Sequence, residues 1–171
     1  MIQTVNKNES IRQSLVKAIL IAGLIAGTLD IIAAIVQTIL NGRDPMTMLK
    51  FIASGVFGKE ALQAGSQFAL LGLFFHYCIA TGWGILLFLI YPKIKFFSKN
   101  WIVTGVAYGF FVWLMMNRVV LPLSNTPPLP FKFGWNMVKS ALIIVTCVGL
   151  PLSYLATKHY NKLKADNSHE L

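Results

Sequence analysis

Apolar residues in this chain fall into four long blocks separated by short polar stretches, and the pattern predicts four membrane-crossing α-helices. The first block runs from about Leu15 to Leu40. At about 1.5 Å rise per residue it reaches roughly 39 Å, enough to span a hydrocarbon core of about 30 Å with tilt. It exceeds the roughly 7–15 apolar residues of a signal peptide, and no cleavage pattern follows it. The second block runs from about Gln67 to Tyr91, where Pro92 closes it. The third runs from about Trp101 to Leu123. The fourth runs from about Phe133 to Ala156, with Pro151 predicted to bend its last turns. The fold class that follows is all-α: a polytopic membrane protein, a four-transmembrane-helix bundle.

The stretches between the blocks predict the remaining organisation. Residues 1–14 are polar, show no apolar period and read as a lead, with Ser10 a weak helix cap. Asn41-Gly42-Arg43-Asp44-Pro45 is turn chemistry. Residues 46–62 are too short and too charged to cross. They predict an extra helix, either amphipathic on the surface or a re-entrant hairpin broken near Gly55 and Gly58, with the surface helix preferred. The loop Ser124-Asn125-Thr126-Pro127-Pro128-Leu129-Pro130 is stiff. Residues 158–171 read as a polar, frayed tail, leaving 15–157 as the membrane domain.

Composition sharpens this picture. Charged residues make up 12% of the chain, about half the share of a soluble domain, so a soluble protein is excluded. The net charge of +9 does not indicate nucleic acid, because the basic residues sit at the ends of apolar blocks rather than in one patch. Nine of the 15 basic residues fall in the lead (Lys7, Arg12, Lys17), the middle loop (Lys93, Lys95, Lys99) and the tail (Lys158, Lys162, Lys164). Four spans place these three segments on one side, so the positive-inside rule predicts cytoplasmic N- and C-termini in a plasma membrane, here a bacterial inner membrane. Arg43, Lys50, Lys59 and Lys132 lie on the opposite side. Tyr91, Trp101, Trp135, Tyr154 and Tyr160 stand near span ends, as interface anchors do. Cys78 and Cys147 lie inside apolar blocks and indicate no disulfide framework.

Ionisable groups inside the bilayer are costly and are the first functional candidates. They are Asp30, His76, Arg118 with Asn117 beside it, and Lys139 one turn from Asn136. Counted by helix rise from the centre of each span, Asp30 and His76 sit about 4–5 Å toward the outer face, and Arg118 and Lys139 about 9–10 Å. All four spans thus place a polar group in the outer half, which predicts a shared, outward-facing polar pocket. An ionised Asp30 needs company. Arg118 or Lys139 is the natural partner, and the bland alternative is an ion pair that only fixes packing.

Small residues mark the packing faces. Gly23, Gly27, Asp30, Ala34, Gln37 and Asn41 form one stripe on span one, and Gly72, His76, Ala80 and Gly84 another on span two. These two faces are expected to meet. Gly105 and Gly109 repeat the spacing on span three. His76 reads either as a proton carrier or as a neutral histidine bonded to a neighbouring helix. Intrachain haem is not expected, because His159 and His169 lie beyond the far end of span four. No Walker loop, HExxH pair, nucleophile elbow or metal-spaced cysteine pair appears, so neither an enzyme nor a cofactor or metal is expected.

Gly23 to Asp30 (GLIAGTLD), Ile52 to Gly65 (IASGVFGKEALQAG), His76 and Met116 to Pro122 (MNRVVLP) resemble the YagU-like group of small bacterial inner-membrane proteins over roughly residues 20–125. The resemblance implies location and topology, and carries no functional residue. Two function classes follow from the whole reading. One is a small channel, transporter or sensor with an outward-facing polar pocket, working as a homo-oligomer. The other is a non-catalytic assembly subunit that binds other membrane proteins through its small-residue faces. Membrane lipids are partners in both.

Overall fold

The computed structural model describes residues 2–94, 100–128 and 134–168, with side chains described for 9–94, 100–128 and 134–166. Lys95, Lys99, Lys132, the start of span four at Phe133, and His169 lie outside the described residues, as does the side chain of Lys7. Among the described residues every regular element is helical. The helices are α1 (Ile2–Leu40), α2 (Pro45–Phe57), α3 (Glu60–Gln63), α4 (Gln67–Ile90), α5 (Trp101–Met115), α6 (Leu121–Leu123), α7 (Trp135–Ile144) and α8 (Leu150–Ser168). A π turn at Met116–Val120 joins α5 to α6, and another at Val145–Gly149 joins α7 to α8.

Four helical segments are long and apolar enough to cross a membrane: Glu9–Leu40, Gln67–Lys93, Trp101–Leu123 and Trp135–Asp166. They are spans one to four of a multi-pass membrane protein. Large apolar side chains such as Leu20, Leu24, Leu70, Phe74 and Phe110 point outward, as lipid-solvated helices require. The buried core is built from Ile19, Ala22, Ala26, Leu87, Phe88, Val112, Val148 and Leu152. Span four sits between spans one and three: α1 packs on α4, α8 and the second π turn, and α5 packs on α8 and that same turn.

The helix ends follow from sequence. Asp44 caps α2, its carboxylate accepting from the backbone N–H of Met46 (3.2 Å) and Thr47 (2.9 Å), with Pro45 in the first turn. Gly58, at φ +71°, stops α2 in a conformation that disfavours side chains. Asn100 caps α5 by accepting from the N–H of Ile102.

Several expectations are corrected. The lead is helical: α1 runs unbroken from Ile2, and Ser10 lies within it rather than at a cap. Polar residues need only water around an extended helix, and the apolar span below it supplies the nucleus. The tail is likewise helical through Ser168. The preferred single extra helix appears as α2, which passes through Gly55 and ends at Gly58. Tyr91 and Tyr160 are not lipid anchors. Tyr91 is 3% exposed, stacks on Tyr160 at 5.3 Å between ring centroids and bonds Thr157 at 2.7 Å. Trp101, Tyr154 and Trp135 do face outward.

Both π turns precede a proline by the same offset. Pro122 and Pro151 have no N–H to give, and a proline ring crowds the carbonyl four residues back. Those carbonyls belong to Arg118 and Cys147, the middle residues of the two π turns. Widening the helix there accommodates both rings, so Pro151 acts one turn upstream of the predicted bend.

Candidate functional site

Span one and span two run antiparallel and meet along their small residues. A Cβ placed on Gly23 would stand 2.8 Å from the Cα of Thr81, and one on Gly27 would stand 2.9 Å from the ring of Tyr77. Gly84 faces Gly23 across the same seam. Thr28 Oγ1 and the Tyr77 hydroxyl lie 2.9 Å apart beside it. One turn further along α1, Asp30 and His76 come together.

His76 Nε2 lies 2.9 Å from the Gly27 carbonyl and 4.0 Å from Asp30 Oδ2. A carbonyl can only accept, so Nε2 carries the hydrogen and neutral His76 keeps Nδ1 as its basic nitrogen. The 4.0 Å separation is an ion-pair distance and not a hydrogen bond. The His76 side chain is 12% exposed and that of Asp30 21%. The pair is therefore largely enclosed by protein, with part of each side chain exposed.

The partner of Asp30 is thus His76, where the sequence pointed to Arg118 or Lys139. The glycines of α1 aim its polar stripe at α4, and span four stands between span one and the π turn that bears Arg118. Lys139 is half-buried on α7 and forms no ion pair with Asp30. Arg118 and Asn136 are exposed. Gln37 is half-buried further along the Asp30 stripe, and Asn41 is exposed at its end, donating to the Gln37 carbonyl at 2.8 Å.

Two of the predicted residues serve other contacts. Gly72 does not meet span one; it faces α2, where a Cβ would fall on the carbonyl of Leu49. Asn117 bonds its own helix, its Nδ2 donating to the Trp113 carbonyl at 2.8 Å. That carbonyl borders the first π turn, where the usual i to i−4 ladder is interrupted. Thr146 does the same in the second, donating to the Leu142 carbonyl at 2.7 Å. Gly105 and Gly109 bring α5 against Val145, Gly149 and Leu150. The proline offset was the sequence signal for these turns.

At the ends of the spans away from the chain termini, α2 ties the elements together. Asn125 donates from its backbone to the Gly55 carbonyl at 3.0 Å and from Nδ2 to the Val56 carbonyl at 3.1 Å. Lys50 Nζ donates to the Ala64 carbonyl at 2.6 Å. The segment therefore packs on span two near Gly72 and holds the loop after span three. Among the described residues no group of three or more His, Cys, Asp and Glu side chains is arranged to hold a metal.

No protein-family model, curated protein or solved structure matches this chain. The arrangement of Asp30, His76 and the Gly27 carbonyl must be read on its own chemistry.

Proposed function

We propose that this protein is a small transporter or sensor of a bacterial inner membrane, with both termini cytoplasmic, in which Asp30 and His76 bind and release a proton from an outward-facing polar pocket. The observation that carries the reading is the contact between an acid and an imidazole inside apolar spans, 4.0 Å apart and both part-exposed. Such groups are costly in lipid and are kept where they do work. Gln37 and Asn41 continue the stripe toward the outer end and form the way in. The charge bias of the lead and tail supports the orientation, and the YagU-like resemblance supports the location.

The alternative, a non-catalytic subunit that binds other membrane proteins through its small-residue faces, has less support, because Gly23, Gly27, Gly105, Gly109 and Gly149 are all engaged by contacts within the chain.

Cysteine labelling separates the two. In a background with Cys78 and Cys147 replaced, Gln37→Cys and Asn41→Cys are treated from outside with a charged, membrane-impermeant thiol reagent, with Arg43→Cys as the loop control. The pocket reading expects labelling at both positions, and a rate at position 37 that changes across pH 5–8. That pH response should vanish in the Asp30→Asn/His76→Gln variant. Silence at position 37 with a labelled control supports the assembly subunit instead.

A further inference from the structure

The inner end of span one carries a second feature that the proton pair does not use. A concavity of about 600 Å³ lies along α1, lined among the described residues by Arg12, Gln13, Val16, Lys17, Leu20 and Ile21, with Glu9 at its rim. These positions recur every three or four residues and so share one face of the helix. The opposite face is engaged: Ile19 and Ala22 are buried in the core with Leu87, Phe88 and Leu152. The lined face is exposed throughout, Val16, Leu20 and Ile21 included.

Its chemistry is graded along the axis. Charged and polar groups occupy the first two turns and apolar groups the next two. Arg12 and Lys17 are about 7.5 Å apart along the axis by helix rise. Helical side chains lean toward the N-terminus, so the long Lys17 stem carries its ammonium back toward the level of Arg12 and Gln13. Neither cation is engaged in an ion pair among the described residues. Glu9, one turn further out, leaves the local balance positive. A polar end with two exposed cations, continued by exposed apolar side chains, has the order and sign of an anionic amphiphile.

We propose that this groove of α1 binds an anionic phospholipid, its phosphate held by Arg12 and Lys17 with Gln13 as a neutral donor, and one acyl chain laid over Val16, Leu20 and Ile21. Guanidinium and ammonium groups are the usual phosphate partners, and Arg presents a fork of donors to the phosphate oxygens. Basic side chains at the membrane surface favour anionic lipid. Asp30 lies about two and a half turns along α1 beyond Ile21, the last residue lining the groove, so the groove and the proton pair share no side chain.

Native mass spectrometry of the full chain in non-ionic detergent tests this, with phosphatidylglycerol and phosphatidylcholine of matched acyl chains as probes. The parent should retain phosphatidylglycerol in clear preference to phosphatidylcholine. Arg12→Gln and Lys17→Gln should each lower that preference about fivefold, and the double variant more. Lys50→Gln/Lys59→Gln, at the other end of the bundle, should leave it unchanged. Leu20→Gln should weaken retention of both lipids. Equal retention of the two lipids by the parent, or an unchanged preference in the Arg12→Gln/Lys17→Gln variant, overturns the proposal. Displacement of phosphatidylglycerol by equimolar inorganic phosphate overturns the acyl half of it. The substituted side chains are exposed, and should the double variant fail to fold, the two single variants decide in the same way.

Discussion

Where span one meets span two, Gly23 packs on the side chain and Cα of Thr81, Gly27 admits the Tyr77 ring, and the seam continues to Asp30 and His76. Where span three meets span four, Gly105, Gly109 and Gly149 bring backbone onto backbone, and the seam continues to Trp113, whose Nε1 donates to Ser140 Oγ at 3.0 Å. Both seams use glycine for close approach, yet their polar residues do different things. In the second, Asn117, Thr146 and Ser140 return their hydrogen bonds to backbone carbonyls of their own helix. In the first, the ionisable groups face each other across the seam and stay part-exposed. Polar residues that satisfy local backbone are explained by the helix that carries them. A facing acid and imidazole are not, which is why the candidate site lies in the first seam.

The largest expected effect probes the backbone-on-backbone contact. A Cβ at Gly149 would fall on the carbonyl of Gly105 and within 2.7 Å of the Cα of Gly109, and neither is the end of a flexible side chain. Gly149→Ala should cost about 3 kcal/mol, read as a lowered midpoint in thermal or detergent unfolding followed by circular dichroism. Gly27→Ala first meets the Tyr77 ring at 2.9 Å, which can turn, and then Ala80 Cβ at 3.2 Å, and should cost about 1–2 kcal/mol. Gly82 has open space around it, so Gly82→Ala should not destabilise at all. If Gly27→Ala proves as damaging as Gly149→Ala, the two seams are packed alike and the distinction drawn from them fails.

A smaller effect separates local polar bonds from the facing pair. Asn117→Ala removes one of the two donors to the Trp113 carbonyl, which keeps the Met116 N–H, and should cost about 1 kcal/mol, by the same amount at every pH between 5 and 8. His76→Leu removes the neighbour of Asp30 inside the seam and should cost about 2 kcal/mol. Asp30→Asn in addition should recover part of that loss, because no carboxylate is then left alone. Unfolding curves of the four proteins give the coupling directly. A double variant no more stable than His76→Leu would mean that Asp30 is already satisfied elsewhere.

These contacts explain which parts of the fold were legible in the residues. The spans were, because some twenty apolar residues in a row have one solvent available to them. The meeting of the Gly23 and His76 faces was also legible, since small residues at helical spacing mark where backbones approach. The partner of Asp30 was not. Depth along a helix follows from counting, but which helix stands beside which is set by packing, and span four separates spans one and three. The helical lead and tail were hidden because their polar residues carry no apolar period; they extend helices nucleated within the spans. The π turns were encoded by Pro122 and Pro151, but proline announces only that the regular ladder must give, and not how.

The smallest expected effect lies in α2, which bridges the two seams by packing on span two and holding the loop after span three. Its cap is Asp44, whose carboxyl is held below the usual carboxylate range by the Thr47 hydroxyl, then by the backbone N–H of Thr47 and of Met46. A carboxyl with a lower value in the folded chain than in the unfolded one stabilises fully above the unfolded value, near 3.9, and the gain is lost as pH falls through the depressed folded value. Protection of α2 amides, read by hydrogen exchange corrected for intrinsic rates, should therefore hold down to about pH 4 and decline below it. Asparagine caps helices as well as aspartate and does not titrate, so Asp44→Asn should retain the protection and flatten its pH dependence. Asp44→Ala should lose protection at every pH, most strongly at Thr47 and Met48. The fully exposed position limits the effect to this helix, and the Asp30–His76 seam should not register it. If protection within α4 near Gly72 drops along with α2, then α2 and span two open together, as a single cooperative unit rather than as a surface helix at rest on the bundle.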